Sequence, residues 1–161
     1  MQIRKTKLED LDEVMQIYDR ARRFMAQTGN PTQWGDGYPK EELIREDIAK
    51  GVSYVAEFDG RIETVFMYYE GEEADYRAIE GGSWKNDEPY GVIHRIASRG
   101  EIKGAGSKCL QWGFEQCGNL RIDTHDDNVV MQHVLEKSGF EKCGRIYLAD
   151  GSPRVAYQKS R

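Results

Sequence analysis

Only three cysteines and three histidines occur among 161 residues, and neither set is spaced for metal or for a framework of bridges. Cys109, Cys117 and Cys143 are odd in number with no CxxC pair, and His94, His125 and His133 form no HExxH pattern. Neither a disulfide framework nor a zinc site is expected, and no metal. No apolar stretch approaches the ~20 residues that a membrane-crossing helix needs. The opening Met1-Gln2-Ile3-Arg4-Lys5 lacks the apolar core of a secretory signal. A cytoplasmic protein without a membrane partner is therefore expected. Positive charge is also in deficit, since 23 Lys+Arg against 28 Asp+Glu leave a net charge of -5. That balance gives no electrostatic footprint for duplex nucleic acid. Internal repeats and linkers are absent too, and the length suits one core, so a single domain over 1–161 is expected.

What is present is an alternation of strand and helix signals. Ile3 to Lys5 reads as a strand, and Thr6 with Glu9 reads as a capping box. Behind it, Leu8, Leu11, Val14, Met15, Tyr18, Ala21 and Met25 recur at helical spacing up to Gly29. Pro39 opens a second helix that stops at Gly51. The runs 52–58 and 62–69 flank Asp59-Gly60, a hairpin signal. Residues 70–89 are acidic and irregular. Then follow a strand at 90–98, a helix at 107–117, a strand at 120–124 and a helix at 129–137. A terminal hairpin, 141–148 and 153–159, turns at Asp150-Gly151. The order is β-α-α-β-β-β-α-β-α-β-β. It implies an α/β (α+β) fold, with about seven strands in a mixed, mostly antiparallel twisted sheet flanked by about four helices.

Function is most legible at Lys103-Gly104-Ala105-Gly106-Ser107-Lys108, between a strand and a helix. Two glycines around one small residue let successive N–H groups point into one concavity, and the following helix adds its positive dipole end. Such a nest wants an anion, most simply a phosphate.

This loop, its place after the fourth strand and the element order together resemble the GCN5-related N-acetyltransferase superfamily over almost the whole chain. The superfamily's pyrophosphate motif, Q/R-x-x-G-x-G/A, is matched by Glu101-Ile102-Lys103-Gly104-Ala105-Gly106, with Glu101 where Gln or Arg is usual. Downstream, Asn128 precedes a helix that closes in Ser138-Gly139-Phe140, similar to the family's Asn and Gly-Phe spacing. The resemblance implies acetyl-CoA as cosubstrate, with pyrophosphate on the 103–108 backbone and support from Asn128. It also implies an oxyanion-binding N–H near Ile96, Ala97 and Ser98. The approach from Ala97 to Gly104 is shorter than in many members and holds no proline. The family's thiolate-protonating tyrosine falls on Leu135 here, and water, Tyr147 or Tyr157 can take that part. A homodimer is common in the family.

An alkyl amine has a pKa near ~10, so a base must deprotonate it before it attacks a thioester. Alternation on the fifth strand puts Arg121, Asp123 and His125 on one face. Asp123 is the first candidate base, His125 the second and His94 on strand four the third. Asp123 can equally pair with Arg121 or Arg145, and either histidine can be a satisfied strand residue. Asn128 can cap its helix as well as touch CoA.

Around the acceptor, the resemblance implies walls from the first two helices and strands three and four, so Trp34, Tyr38, Tyr68 and Trp84 are candidate lining residues. The acidic 70–88 stretch can steer a protonated amine or simply be solvated. A small amine, an amino acid derivative or a peptide amino terminus fits the acceptor. A non-catalytic acyl-CoA sensor is the alternative, motivated by Leu135.

Overall fold

A computed structural model describes residues 1–161. Its elements are β1 (Gln2–Lys5), α1 (Leu11–Gln27), α2 (Glu41–Ala49), β2 (Ser53–Phe58), β3 (Arg61–Glu70) and β4 (Gly91–Ser98), followed by α3 (Ala105–Cys117), β5 (Asn119–Thr124), α4 (Val129–Lys137), β6 (Glu141–Tyr147) and β7 (Pro153–Ser160). They form one sheet of order β1-β2-β3-β4-β5-β7-β6. Every pairing is antiparallel except β4 with β5, which pair in parallel only at Gly91 and Val92. Beyond Val92 these two strands part, and the gap between them founds the site.

Both sheet faces are covered. On one face, Leu11, Val14, Ile17 and Tyr18 of α1 and Ile44 of α2 pack with Val55, Val65 and Ala97. On the other, Leu110 of α3 and Leu135 of α4 pack with Phe66, Tyr68, Ile93, Leu120 and Ile122. Strands buried on both faces lose the simple inside-outside alternation, as the paired burial of Val55 and Ala56 shows. Gly113 lets α3 lie close to β4, since a Cβ there would meet the Ile93 Cδ1 at 2.8 Å.

The chain enters α1 differently from the expected capping box. Leu8–Asp10 forms a 3-10 turn, the Lys7 amide donates to Asp10 Oδ2 at 2.7 Å, and Leu8 is exposed. Thr6 is buried instead, its hydroxyl 2.8 Å from that of Ser53.

β4 carries a bulge opposite Val65 to Met67. Arg95 sits there at φ +52°, a left-handed conformation that costs a bulky residue about 1–3 kcal/mol. Three partners hold it: Tyr18 Oη donates to the Arg95 carbonyl at 2.8 Å, the guanidinium grips both oxygens of Asp47 at 2.8 Å, and its Nη1 donates to Tyr38 Oη at 3.1 Å.

Candidate functional site

Where β4 and β5 part, a cleft of about 1340 Å³ runs across the molecule. One end is the loop before α3. Gly104 adopts φ +79°, as its place ahead of the helix demands, and a Cβ at Gly104 or Gly106 would meet nothing within 4 Å. The concavity above the two glycines is therefore open, and the Gly106 and Ser107 N–H groups are free to meet an anion there, whereas the Ala105 amide donates to the Ile102 carbonyl at 3.4 Å. Lys103, Gly104, Ala105, Gly106 and Ser107 line the cleft, as do Ile96, Ala97 and Ser98 on β4.

Lys108 does not. α3 begins at Ala105, two residues before the expected start at Ser107, and this turns Lys108 outward, its Nζ 5.6 Å from the centre of the Phe58 ring. Glu101 also faces away, with Arg61 Nη1 donating to it at 2.9 Å. The short approach to the loop is fastened from within. The buried Glu63 carboxylate accepts from the amides of Gly100 at 2.9 Å and Glu101 at 3.2 Å. Asn128 lines the cleft and caps α4 as well, its Oδ1 accepting from the Met131 amide at 3.0 Å. Its Nδ2 donates to Gln33 Oε1 at 3.0 Å.

The other end of the cleft is acidic. Asp123 reaches it from β5, and its candidate cations are spoken for elsewhere. The Arg121 guanidinium lies between Trp84 and Tyr90, 4.3 and 4.0 Å from the ring centres, while Arg145 Nη1 donates to Asp126 at 2.9 Å. Asp123 instead accepts from the buried Tyr76 hydroxyl at 2.6 Å. His94 lines the same end, its Nε2 3.1 Å from Glu73 Oε2. Tyr69 Oη donates to that same oxygen at 2.5 Å. Bonding to His94, reinforced by Tyr69, draws the Glu73 carboxyl down to about 2. Asp75 is pushed the other way, upward, by burial and by the charges of Glu73 and Asp123.

His125 lies off the strand and outside the cleft. Its Nδ1 accepts from the Asp127 amide at 3.0 Å, which leaves the proton on Nε2, 3.2 Å from Thr32 Oγ1.

Of the aromatic candidates, Trp34 and Tyr38 line the cleft side by side, ring centres 6.0 Å apart. Tyr68 does not, because Met67 and Tyr69 take the cleft face of β3 and strand parity sends Tyr68 into the core beside Trp112. Trp84 is likewise displaced. Its Nε1 donates to the Tyr76 carbonyl at 2.8 Å, and its ring covers Arg121. Leu135 is fully buried. Tyr147 donates to Glu80 at 2.9 Å and Tyr157 is buried in the core, so neither tyrosine stands in the cleft.

Sequence reasoning treated Glu73 and Asp75 as a diffuse charge run and overlooked Arg154 at the same end. The fold of 70–90 explains the first omission: Ala74–Tyr76 forms a 3-10 turn that buries Tyr76 and delivers the flanking acids to the cleft. No group of three His, Cys, Asp or Glu side chains comes together in metal-holding geometry, and no helix is long and apolar enough to cross a membrane.

The depressed Glu73 carboxyl makes a stability prediction. Its folded value lies below the ordinary 4.5, so its contribution is present above that pH and is lost as pH falls through about 2. Denaturant midpoints of the wild type and Glu73→Gln should therefore differ at neutral pH and converge toward pH 2. A gap that does not narrow on acidification would refute the pairing.

No protein-family model matches the chain, and no curated protein does. Solved structures do. A GNAT-family acetyltransferase from Streptococcus agalactiae is 38% identical, with 99% of this chain and 95% of that one covered at a TM-score of 0.91. A putative acetyltransferase from Staphylococcus aureus is 26% identical, with 99% of each chain covered at 0.72. An aminoglycoside acetyltransferase in complex with coenzyme A and kanamycin, 19% identical, shares the fold at 0.67 over 99% of this chain and 94% of its own.

Proposed function

Because the chain belongs to the GNAT family of acetyltransferases, we propose that it moves an acetyl group from acetyl-CoA to a primary amine by direct attack on the thioester. The observation that carries this reading is a single cleft with an open concavity at the start of α3 at one end and Glu73, Asp75, His94 and Asp123 at the other. A solved structure of the same fold with coenzyme A bound supports the choice of donor.

In this reading the N–H groups at the start of α3 bind the pyrophosphate, with Lys103 beside them and Asn128 at the cleft wall. The acidic end draws in the protonated amine. Asp123 takes its proton, directly or through water, while the Tyr76 hydroxyl fixes the carboxylate. Asp75, whose basicity is raised by burial and then by its acidic neighbours, and His94, oriented by Glu73, are the further bases. The attack leaves negative charge on the former carbonyl oxygen, which a backbone N–H of the bulged 96–98 segment meets. Trp34 and Tyr38 wall the acceptor. With Leu135 buried and Tyr147 and Tyr157 outside the cleft, water is the proton source for the departing thiolate in this reading, since a thiol pKa near ~8.5 makes it a tolerable leaving group.

Asp123→Asn should lower turnover about 10- to 100-fold, the scale of a general base, while the dissociation constant for acetyl-CoA stays unchanged. Thiol release over a primary-amine panel, beside calorimetric titration, checks both. Wild-type turnover in the variant would remove Asp123 from the mechanism. The buried Leu135 favours one other reading, an acyl-CoA sensor, for which acetyl-CoA would bind and no amine would release thiol.

A further inference from the structure

Arg154 is the one cation at the acidic end that the proposed transfer does not use. It lies on β7, only 7% exposed, and lines the cleft. Its single hydrogen bond runs from Nη1 to the Pro153 carbonyl at 2.8 Å, and no carboxylate pairs with it. Among the other cleft cations only Arg95 has a carboxylate partner, and Arg20 and Lys103 stand on the donor side of the cleft beside Ser98 and the phosphate loop. Asp150 feels the charge of Arg154 but spends an oxygen on the Ser152 amide at 2.9 Å and stays in water. The remaining Arg154 donors have no protein partner and open onto the cleft, where an anionic group can pair with them.

The register shows what that partner must look like. Asp123 pairs with Ala156 and Thr124 with Val155, so Asp123 and Arg154 are diagonal neighbours on one sheet face, on the order of 7–8 Å apart. An acid and an unpaired guanidinium at that spacing match an amine and a carboxylate a few bonds apart. Glu73, Asp75 and Asp123 would repel an anionic group that no cation received.

We propose that Arg154 receives a carboxylate of the acceptor, which makes the substrate class small amino acids and related compounds bearing both an amine and a carboxylate. This rests on the amine-acetylation reading above. The guanidinium fork suits bidentate carboxylate recognition, and an acceptor lacking the carboxylate leaves the buried charge unpaired.

The test compares α-amino acids with their decarboxylated amines and their carboxamides as acceptors, with acetyl-CoA as donor and thiol release as readout. The expected result is a kcat/KM at least about tenfold higher for the carboxylate-bearing member. In Arg154→Gln that ratio should fall to near one through KM, with acetyl-CoA affinity intact. Arg154→Lys, which keeps the charge and guards against loss of the fold, should retain part of it. Equal rates for the decarboxylated or amidated acceptors, or a ratio unchanged in folded Arg154→Gln, overturns the proposal. Thermal stabilisation by acetyl-CoA without thiol release from any acceptor refutes amine acetylation itself, and the proposal falls with it.

Discussion

Gly106→Asp should abolish acetyl-CoA binding, raising its dissociation constant by about 100-fold or more, while the protein stays folded and equally or more heat-stable. Gly106 lies in the first turn of α3 with ordinary helical backbone, and nothing within 4 Å would obstruct a Cβ there. Replacing a helical glycine removes a penalty of ~1 kcal/mol, and an acid in the first turn favours the helix dipole. Stability and ligand binding are thus driven in opposite directions by one side chain. The same carboxylate projects toward the concavity where phosphate is proposed to sit, and two anions at contact repel strongly in a partly desolvated site. Gly106→Asn keeps the shape without the charge and should lose much less affinity. Gly104 makes a poorer probe because its φ of +79° adds backbone strain to any substitution. Unchanged acetyl-CoA affinity in folded Gly106→Asp would detach the loop from the donor.

Asp47→Ala should cost about 3–5 kcal/mol of stability, the usual result of removing one partner from a buried ion pair. The pair is well sheltered, with side chains of Arg95 and Asp47 only 10% and 5% exposed. The loss has two parts. A buried guanidinium is stranded, and the left-handed backbone of Arg95 loses the contact that compensates its strain. For a domain of this size the melting temperature should drop by roughly 10 °C. Because Ile96, Ala97 and Ser98 follow the bulge directly into the cleft, turnover of the surviving folded protein should fall as well. The double substitution Asp47→Leu with Arg95→Met, which removes both charges, should recover much of the stability. A melting temperature for Asp47→Ala within ~2 °C of wild type would show that the bulge stands without its clamp.

The parts of the site that were legible in the sequence are those fixed by local geometry. Gly104-Ala105-Gly106 turns into α3 and leaves open space above it because of the residues in it, and the period of two on β5 was enough to place Asp123 and Arg121 on one face. The element order came from hydrophobic periodicity and turn residues, which read true along most of the chain. Choices between distant partners were not legible. Arg121 prefers two aromatic rings to Asp123, Arg145 prefers Asp126, and Trp84 spends its N–H on a carbonyl under its own loop. Nothing in 70–89 announces that a 3-10 turn will bury Tyr76 and bring Glu73 and Asp75 to the cleft. The misplacement of Lys108 has a smaller origin, a helix start off by two residues, which rotates a side chain through more than half a turn at ~100° per residue. Tyr68 and Met67 differ by one strand position, and in β3, buried on both faces, hydrophobicity alone does not tell which of them faces the helix and which the cleft.

The central claim is that this cleft acetylates an amine with acetyl-CoA. The most direct measurement is mass spectrometry of a mixed panel of primary amines and amino acids after incubation with the protein and acetyl-CoA. An N-acetylated acceptor should form with the wild type and disappear with Gly106→Asp. Acetyl-CoA that binds and stabilises the wild type while every amine in the panel stays unmodified would contradict it.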